Sequence, residues 1–419
     1  MPLQETPPGA VTQIDGREVL YFVGTGYLGI QGRPEVIEAA IEGARRYGIG
    51  SANSRTAFGT TPPLLEVERL AAALFGLDDA FYFASGWMGN SILLHAFDAK
   101  VGQIFIDECS HYSIAEAARL AGRPPITFHH RDAEDLRSKL SEHLKPGRAP
   151  WVLSDGVFAA TGHIAPADRY YEVLQPYPGS TLCLDDAHGI AVLGENGRGT
   201  FEHVGLWHLS PRPLSGEGPG VRAVASPRPL GEGPGVWAAE SRTLPSPLAS
   251  PNSALPSPAL PCPALLFCGT MSKAVGGYGG IIPGGREFMQ QLKSRSPYMG
   301  GASAPPTPIA AATARALELI LAEPALRSRL RSNVRLLKAG LRRMGFDVDD
   351  TPVPIVCLQF GTAHQMQRIQ QELMARGIAI AYMAAYSGLG PEGALRLAVF
   401  ATHTEEMIAR LLDALRQVV

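Results

Sequence analysis

The 419-residue sequence predicts an α/β protein, with a large domain built on a mostly parallel central sheet and a smaller carboxyl-terminal α/β domain after it. Three observations lead there. Short apolar runs recur at 80–85, 103–108, 151–156, 181–187 and 264–270 (AFYFAS, QIFIDE, WVLSDG, TLCLDDA, ALLFCGT), without the strict alternation of a strand that has one wet face. Helical stretches separate them, as parallel strands require of their connections. After residue 308 a long helical region opens a second, shorter series of the same kind.

Taken in order, residues 1–33 read as an amino-terminal arm. PEVIEAAIEGARRYG, from residue 34, has proline at a helix start, apolar residues at 36, 37, 40, 41 and 44, and a glycine stop, the signature of one amphipathic helix. The large domain is expected over 34–307, and the interdomain helix with the small domain over 308–419. In that last part VPIVCLQF, a helix over 364–376, IAIAYM, ALRLAVFA and a final helix over 404–418 follow one another. Residues 207–263 interrupt the pattern: they hold 13 of the 35 prolines, and SPRPLSGEGPGVRA at 210–223 returns as SPRPLGEGPGVWA at 226–238. Proline at this density resists helix and sheet alike, so the segment reads as a passive, extended insertion.

Composition narrows the function. With 45% apolar residues, 18% charged residues and a net charge of −2, the chain has no basic excess to hold nucleic acid or an anionic membrane. No apolar run approaches a membrane span, and MPLQETPPGAVTQIDG lacks a signal pattern, so a cytoplasmic protein acting on small molecules is expected. The five cysteines (109, 183, 262, 268, 357) are never in C-x-x-C spacing and read as reduced, buried thiols. The histidines lack paired ligand spacing, so no metal site is expected.

The chemistry concentrates in GTMSKAVGGYGG, residues 269–280, where Lys273 is the only charged side chain among five glycines. Something has to approach that amine closely. LCLDDAHG, 182–189, supplies a partner set: Asp185 ends an apolar strand, and His188 reaches the same ligand if the chain turns after Asp186. A carboxylate on the ring nitrogen of pyridoxal 5'-phosphate makes the ring an electron sink, and an imidazole can hold its phenolic oxygen. In FASGWMGN, 83–90, Ser85, Gly86 and Trp87 place backbone N–H groups at a helix start suited to a phosphate. Thr270 and Ser272 add hydroxyls beside the lysine. Ala274 after the lysine rules out a Walker loop.

Together these segments resemble the α-oxoamine synthases, a family of fold-type I pyridoxal-phosphate enzymes. Residues 269–280 match G-T-x-S-K-A-x-G-G-x-G-G, residues 185–189 match D-D-A-H-G, and GIGSANSRTAFGT at 48–60, DECSHYS at 107–113 and LRLAVFATHTEE at 395–406 fit further family segments. The resemblance implies that Lys273 forms the internal aldimine, Asp185 pairs with the pyridine nitrogen, His188 with the phenolic oxygen, and His111 covers the ring. It implies that Arg396 receives an amino-acid carboxylate, and that a homodimer condenses a small amino acid with an acyl-CoA, with loss of carbon dioxide. An aminotransferase on the same scaffold and a non-catalytic, partner-binding homologue are the alternatives. Tyr27 and Tyr278 either line the pocket or pack, and His163 and His403 take no catalytic role.

Substrate positions depart from the family pattern. Thr25 stands where asparagine is usual, Leu64 for histidine, Asp155 for glutamate, Ala159 for serine and Thr161 for an acidic residue. Ala302 replaces the threonine that reaches a neighbouring subunit's phosphate, with Ser303 as the substitute. Deleting residues 207–263 is expected to leave turnover and solubility unchanged, as a steady-state assay and gel filtration would show.

Overall fold

The computed structural model describes residues 2–97, 101–209 and 263–419. The insertion expected over 207–263 therefore lies outside the described residues except at its ends. Its first residue belongs instead to the core, which moves the expected boundary and means that a neutral deletion has to spare it: Trp207 is buried, with its ring 5.6 Å from that of Phe267.

The first two strands, β1 (Val11–Ile14) and β2 (Arg17–Tyr21), form an antiparallel hairpin. Seven more make the central sheet: β3 (Asp79–Phe83), β4 (Gln103–Asp107), β5 (Ile126–Phe128), β6 (Pro150–Asp155), β7 (Thr181–Asp185), β8 (Ala264–Thr270) and β9 (Gly280–Gly284). Their spatial order is β3-β9-β8-β7-β6-β4-β5, parallel except that β9 runs against both neighbours. Every residue of β6, β7 and β8 is buried, which explains apolar runs without alternation. The short edge strand β5, with three residues, and β9, whose GIIPG has glycine or proline at three of its five positions, were too weakly patterned to read from the sequence.

The small domain carries β10 (Ile355–Leu358), β11 (Ile378–Ala379), β12 (Ala381–Met383) and β13 (Ala394–Ala398). β10, β13 and β12 form one antiparallel sheet, while β11 pairs parallel with β2. The amino-terminal arm is thus stitched to the small domain by main-chain hydrogen bonds. Between the domains the long helical region is two helices, Thr307–Ala322 and Ala325–Arg343, broken at Glu323–Pro324, because the proline ring clashes with a continuing helix. The helix Pro34–Tyr47 ends on Gly48 at φ 72°, whose N–H returns to the Ala44 carbonyl. That helix crosses Thr307–Ala322 closely at Gly43, where a Cβ would meet the Ala311 methyl at 2.9 Å. Among the described residues no helix is long and apolar enough to cross a membrane.

His403 ties the arm to the small domain. Its Nδ1 accepts from Phe400 N–H at 2.9 Å, its Nε2 donates to the Tyr21 carbonyl at 3.1 Å, and its ring stacks on Phe22 at 4.1 Å. Burial holds the imidazole neutral and pushes its pKa down to about 4 from 6.5. Between those values the unfolded chain binds a proton that the folded chain does not, so stability falls as the pH drops through this window, by about 3 kcal/mol from this residue. Urea midpoints measured at pH 7 and pH 4.5 should differ in that direction, and His403→Gln should flatten the dependence.

Candidate active site

The parallel strands end side by side, and their carboxyl ends carry the candidate groups: Ser85 to Trp87 after β3, His111 after β4, Asp155 at the end of β6, Asp185 at the end of β7, and Lys273 just past β8. They enclose a cavity of about 240 Å³ whose walls include Ser85, Gly86, Trp87, His111, Asp185, His188, Thr270, Ser272 and Lys273. Gly86 is required here by close approach, since a Cβ would sit 2.7 Å from the Thr270 Cβ.

The turn after β7 does what the D-D-A-H spacing demands. Asp186 points away from the cavity and takes Thr200 N–H at 2.6 Å and Thr200 Oγ1 at 2.7 Å. Gly189 N–H and Ile190 N–H return to the Asp186 carbonyl, reversing the chain so that His188 faces the same space as Asp185. Gly199, at φ 98°, lets this loop pass over Asp186, where a Cβ would lie 1.9 Å from Oδ2.

The Lys273 amine lies 2.8 Å from His188 Nε2, and His188 Nδ1 lies 2.7 Å from the Tyr27 hydroxyl. Burial lowers the Lys273 pKa to about 8, against the opposing pull of Asp185 and Asp155. His188 is held neutral, first by burial and then by the Lys273 and Arg396 charges. Asp185 accepts from Asn90 Nδ2 at 3.0 Å and Ala187 N–H at 3.3 Å, while burial pushes its carboxyl upward and Lys273 pulls it back. A carboxylate this dry, facing a cavity without a hydrogen bond to the amine across it, fits a protonated heterocyclic nitrogen. An amine whose pKa is lowered to about 8 gives up its proton readily and fits an aldehyde. The residues therefore suit pyridoxal phosphate.

His111 caps the helix Tyr112–Leu120, its Nδ1 accepting from Ser113. Its ring meets the Trp87 edge at 5.2 Å and Tyr386 at 6.4 Å. Trp87 N–H is turned to Ser85 Oγ at 3.4 Å. The Thr270 hydroxyl donates to the Gly279 carbonyl at 2.8 Å and accepts Ser272 N–H at 3.1 Å, shaping the lysine loop, whereas Ser272 itself is exposed. Arg396 is buried beside the cavity wall: Nε donates to the Ala159 carbonyl at 3.0 Å and one Nη to the Gly24 carbonyl at 3.3 Å. Thr25 follows Gly24 and does not line the cavity. Ser303 is set apart too, exposed and in an isolated bridge with Ser54.

Several contributors were not legible beforehand. Asn90 is completely buried under Asp185, and its signal was a polar residue at the start of a helix that continues as ILL. Tyr27 anchors His188, and Tyr278 lines the cavity. Asp155, noted only as a substitution, lines it as well. Arg55 of the GIGSANSRT segment is buried against Glu68, which also accepts Tyr82 N–H at 3.0 Å, so that arginine holds structure. Among the described residues Asp107, Cys109 and His130 bring three metal-capable atoms within 4.8 Å. Asp107 there already accepts from Cys109 N–H, Arg131 N–H, Tyr170 Oη and His130 Nδ1, the pattern of a structural anchor.

A family profile described as aminotransferase class I and II matches residues 26–219 and 248–415. The chain belongs to that family. Within it the chain stands with the α-oxoamine synthases. The 8-amino-7-oxononanoate synthase of Pseudomonas putida strain GB-1 is 30% identical over 420 residues, covering 99% of this chain and 92% of that protein. That of Nitrosococcus oceani is 28% identical over 416 residues, covering 99% and 95%. Among solved structures, a serine palmitoyltransferase from S. paucimobilis with a bound pyridoxal-phosphate–myriocin aldimine superposes with a TM-score of 0.81 at 22% identity, covering 100% of this chain and 92% of that one. An 8-amino-7-oxononanoate synthase from Francisella tularensis gives 0.69 at 18% identity, covering 95% and 97%. The class I and II fold is therefore the pyridoxal-phosphate transferase fold of type I.

Amine-reactive labelling of the cofactor-free protein, followed by peptide mapping, should titrate Lys273 with a midpoint near 8. Because the Asp185 charge raises that value, Asp185→Asn should move the midpoint lower still.

Proposed function

We propose that the chain is a pyridoxal-phosphate-dependent acyltransferase that condenses a small amino acid with an acyl-CoA, decarboxylatively, in the manner of 8-amino-7-oxononanoate synthase. The observation that carries this reading is the buried Lys273 amine, 2.8 Å from neutral His188 and in one cavity with Asp185. The full-length likeness to synthases at 30% identity supports the acyl-transfer chemistry. Bound pyridoxal phosphate supplies an electron sink for bonds at the substrate's Cα.

The chain's own residues do the rest. Lys273 Nζ holds the cofactor aldehyde and later takes the proton from Cα, a base matched to neutral pH by its desolvation. Asp185, fixed by Asn90 and the Ala187 N–H, keeps a negative charge at the ring nitrogen. His188 would hold the phenolic oxygen, its tautomer governed by Tyr27. Ser85, Gly86, Trp87, Thr270 and Ser272 would hold the phosphate end, and Ser303 would serve a second copy's phosphate. His111, braced by Trp87 and Tyr386, covers the ring and excludes water. Arg396, with two N–H donors held by main-chain carbonyls, presents the others to the amino-acid carboxylate near Thr25. We place the enzyme in the cytoplasm as a homodimer; Phe58 and Ile49, 97% and 75% exposed, offer a second copy an apolar contact.

The purified protein should take up pyridoxal phosphate with visible absorbance, and borohydride should fix it on Lys273. Thiol release from acyl-CoA should require an amino acid such as alanine, glycine or serine. Keto-acid-dependent amino transfer without thiol release would point to an aminotransferase instead. Lys273→Ala should lower either activity by at least about 1000-fold.

A further inference from the structure

Lys273 faces two carboxylates. β6 and β7 pair in parallel with Asp155 directly opposite Asp185, so the two side chains leave the same face of the sheet one strand spacing apart. Both are buried, 4% and 6% exposed, and both line the cavity. Their surroundings differ. Asp185 is held by Asn90 and the Ala187 N–H; Asp155 is held by one donor, the His111 N–H, on Oδ2 at 2.6 Å. Around Asp155 stand Asp185 from β7, His111 and Asp107 from the β4 end, Lys273 after β8, and Cys109 and Tyr386 from the neighbouring loops. Lys273 is the one cation in that group, and the function proposed above spends its charge in holding the aldehyde.

We propose that Asp155 works as a neutral carboxylic acid: Oδ2 accepts the His111 N–H, and Oδ1 donates a hydrogen bond into the cavity to an oxygen acceptor of the bound ligand, leaving Asp185 as the single negative charge. Its placement suits that task. Ala159, four residues on, lines the same wall, and its carbonyl holds the Arg396 guanidinium. Asp155 thus has the ring-nitrogen carboxylate beside it across the sheet and, four residues further on, the carbonyl that holds the arginine for the substrate's own carboxylate, and a donor there adds binding where a second anion would repel. Burial and then the neighbouring Asp185 charge hold the Asp155 carboxyl well above the usual carboxylate range. Two charges side by side in a dry site are resolved by one of them keeping its proton.

The proposal rests on the function given above but can fail separately from it. An asparagine reproduces the neutral acid: it accepts on one atom and donates from the other, and it does not titrate. Asp155→Asn holoenzyme should keep a kcat at least about tenfold above that of Asp155→Leu at pH 7, and should lose an alkaline decline that the wild type shows. Asp155→Leu should lose about 10- to 100-fold, the value of one hydrogen bond to a charged acceptor. A loss in Asp155→Asn as large as in Asp155→Leu would overturn the idea, because it would mean the carboxylate form is needed. Infrared difference spectra give a readout free of turnover: a protonated carboxyl C=O band at pH 7, present in the wild type with or without pyridoxal phosphate, absent in Asp155→Asn, and converted to a carboxylate band at high pH. Its absence from the wild type would refute the assignment. A wild type that shows the band but binds no cofactor would instead refute the proposed function.

Discussion

Desolvation of one amine governs this molecule. Lys273 sits at the edge of a sheet buried on both faces, where water is scarce and the ammonium form loses hydration it cannot fully recover from Asp185 and Asp155. The same burial that makes β8 a continuous apolar strand lowers the pKa of the lysine just past its end to about 8. Sheet stability and site reactivity therefore have one physical source.

The scaffold around that amine is set mainly by backbone geometry. Asp186, pointing away, fastens the loop that brings His188 back toward Lys273, and it can do so because Gly189 and Gly199 leave room for its carboxylate. Thr270 shapes the lysine loop from below and fits against Gly86 of the opposite wall. Each of these is a close approach that a methyl group would block, which accounts for glycine clustering at the cofactor segments without any appeal to flexibility.

Cofactor and substrate groups are built differently. Lys273 and Asp185 are secured by side chains and turns around the central sheet, and His188 also by Tyr27 of the amino-terminal arm. Arg396 comes from β13 of the small domain and is steadied by the carbonyls of Ala159 and Gly24, with the Tyr27 hydroxyl beside it. A guanidinium held by main-chain oxygens tolerates changes in the residues that supply them, so Ala159 and Thr25 can stand where the family pattern has other side chains while the arginine stays in place. Substrate preference can move without disturbing the electron sink.

Taken alone, the sequence determined the α/β class, the strands that matter and the identities of Lys273, Asp185 and His188, because apolar runs and glycine-rich turns are local signals. It also carried the helix boundaries at Pro34 and Gly48. It was silent on the β1–β2 hairpin, whose pairing with β11 joins residues more than 350 positions apart, and on β5 and β9, which were too short or too irregular to show a period. Only the tertiary structure decided that Asn90 braces Asp185, that Tyr27 orients His188, that Arg55 is structural, and that Asp155 lies across from Asp185. Each depends on the register between distant segments, and register is set by how faces bury against one another, which no local stretch of residues encodes.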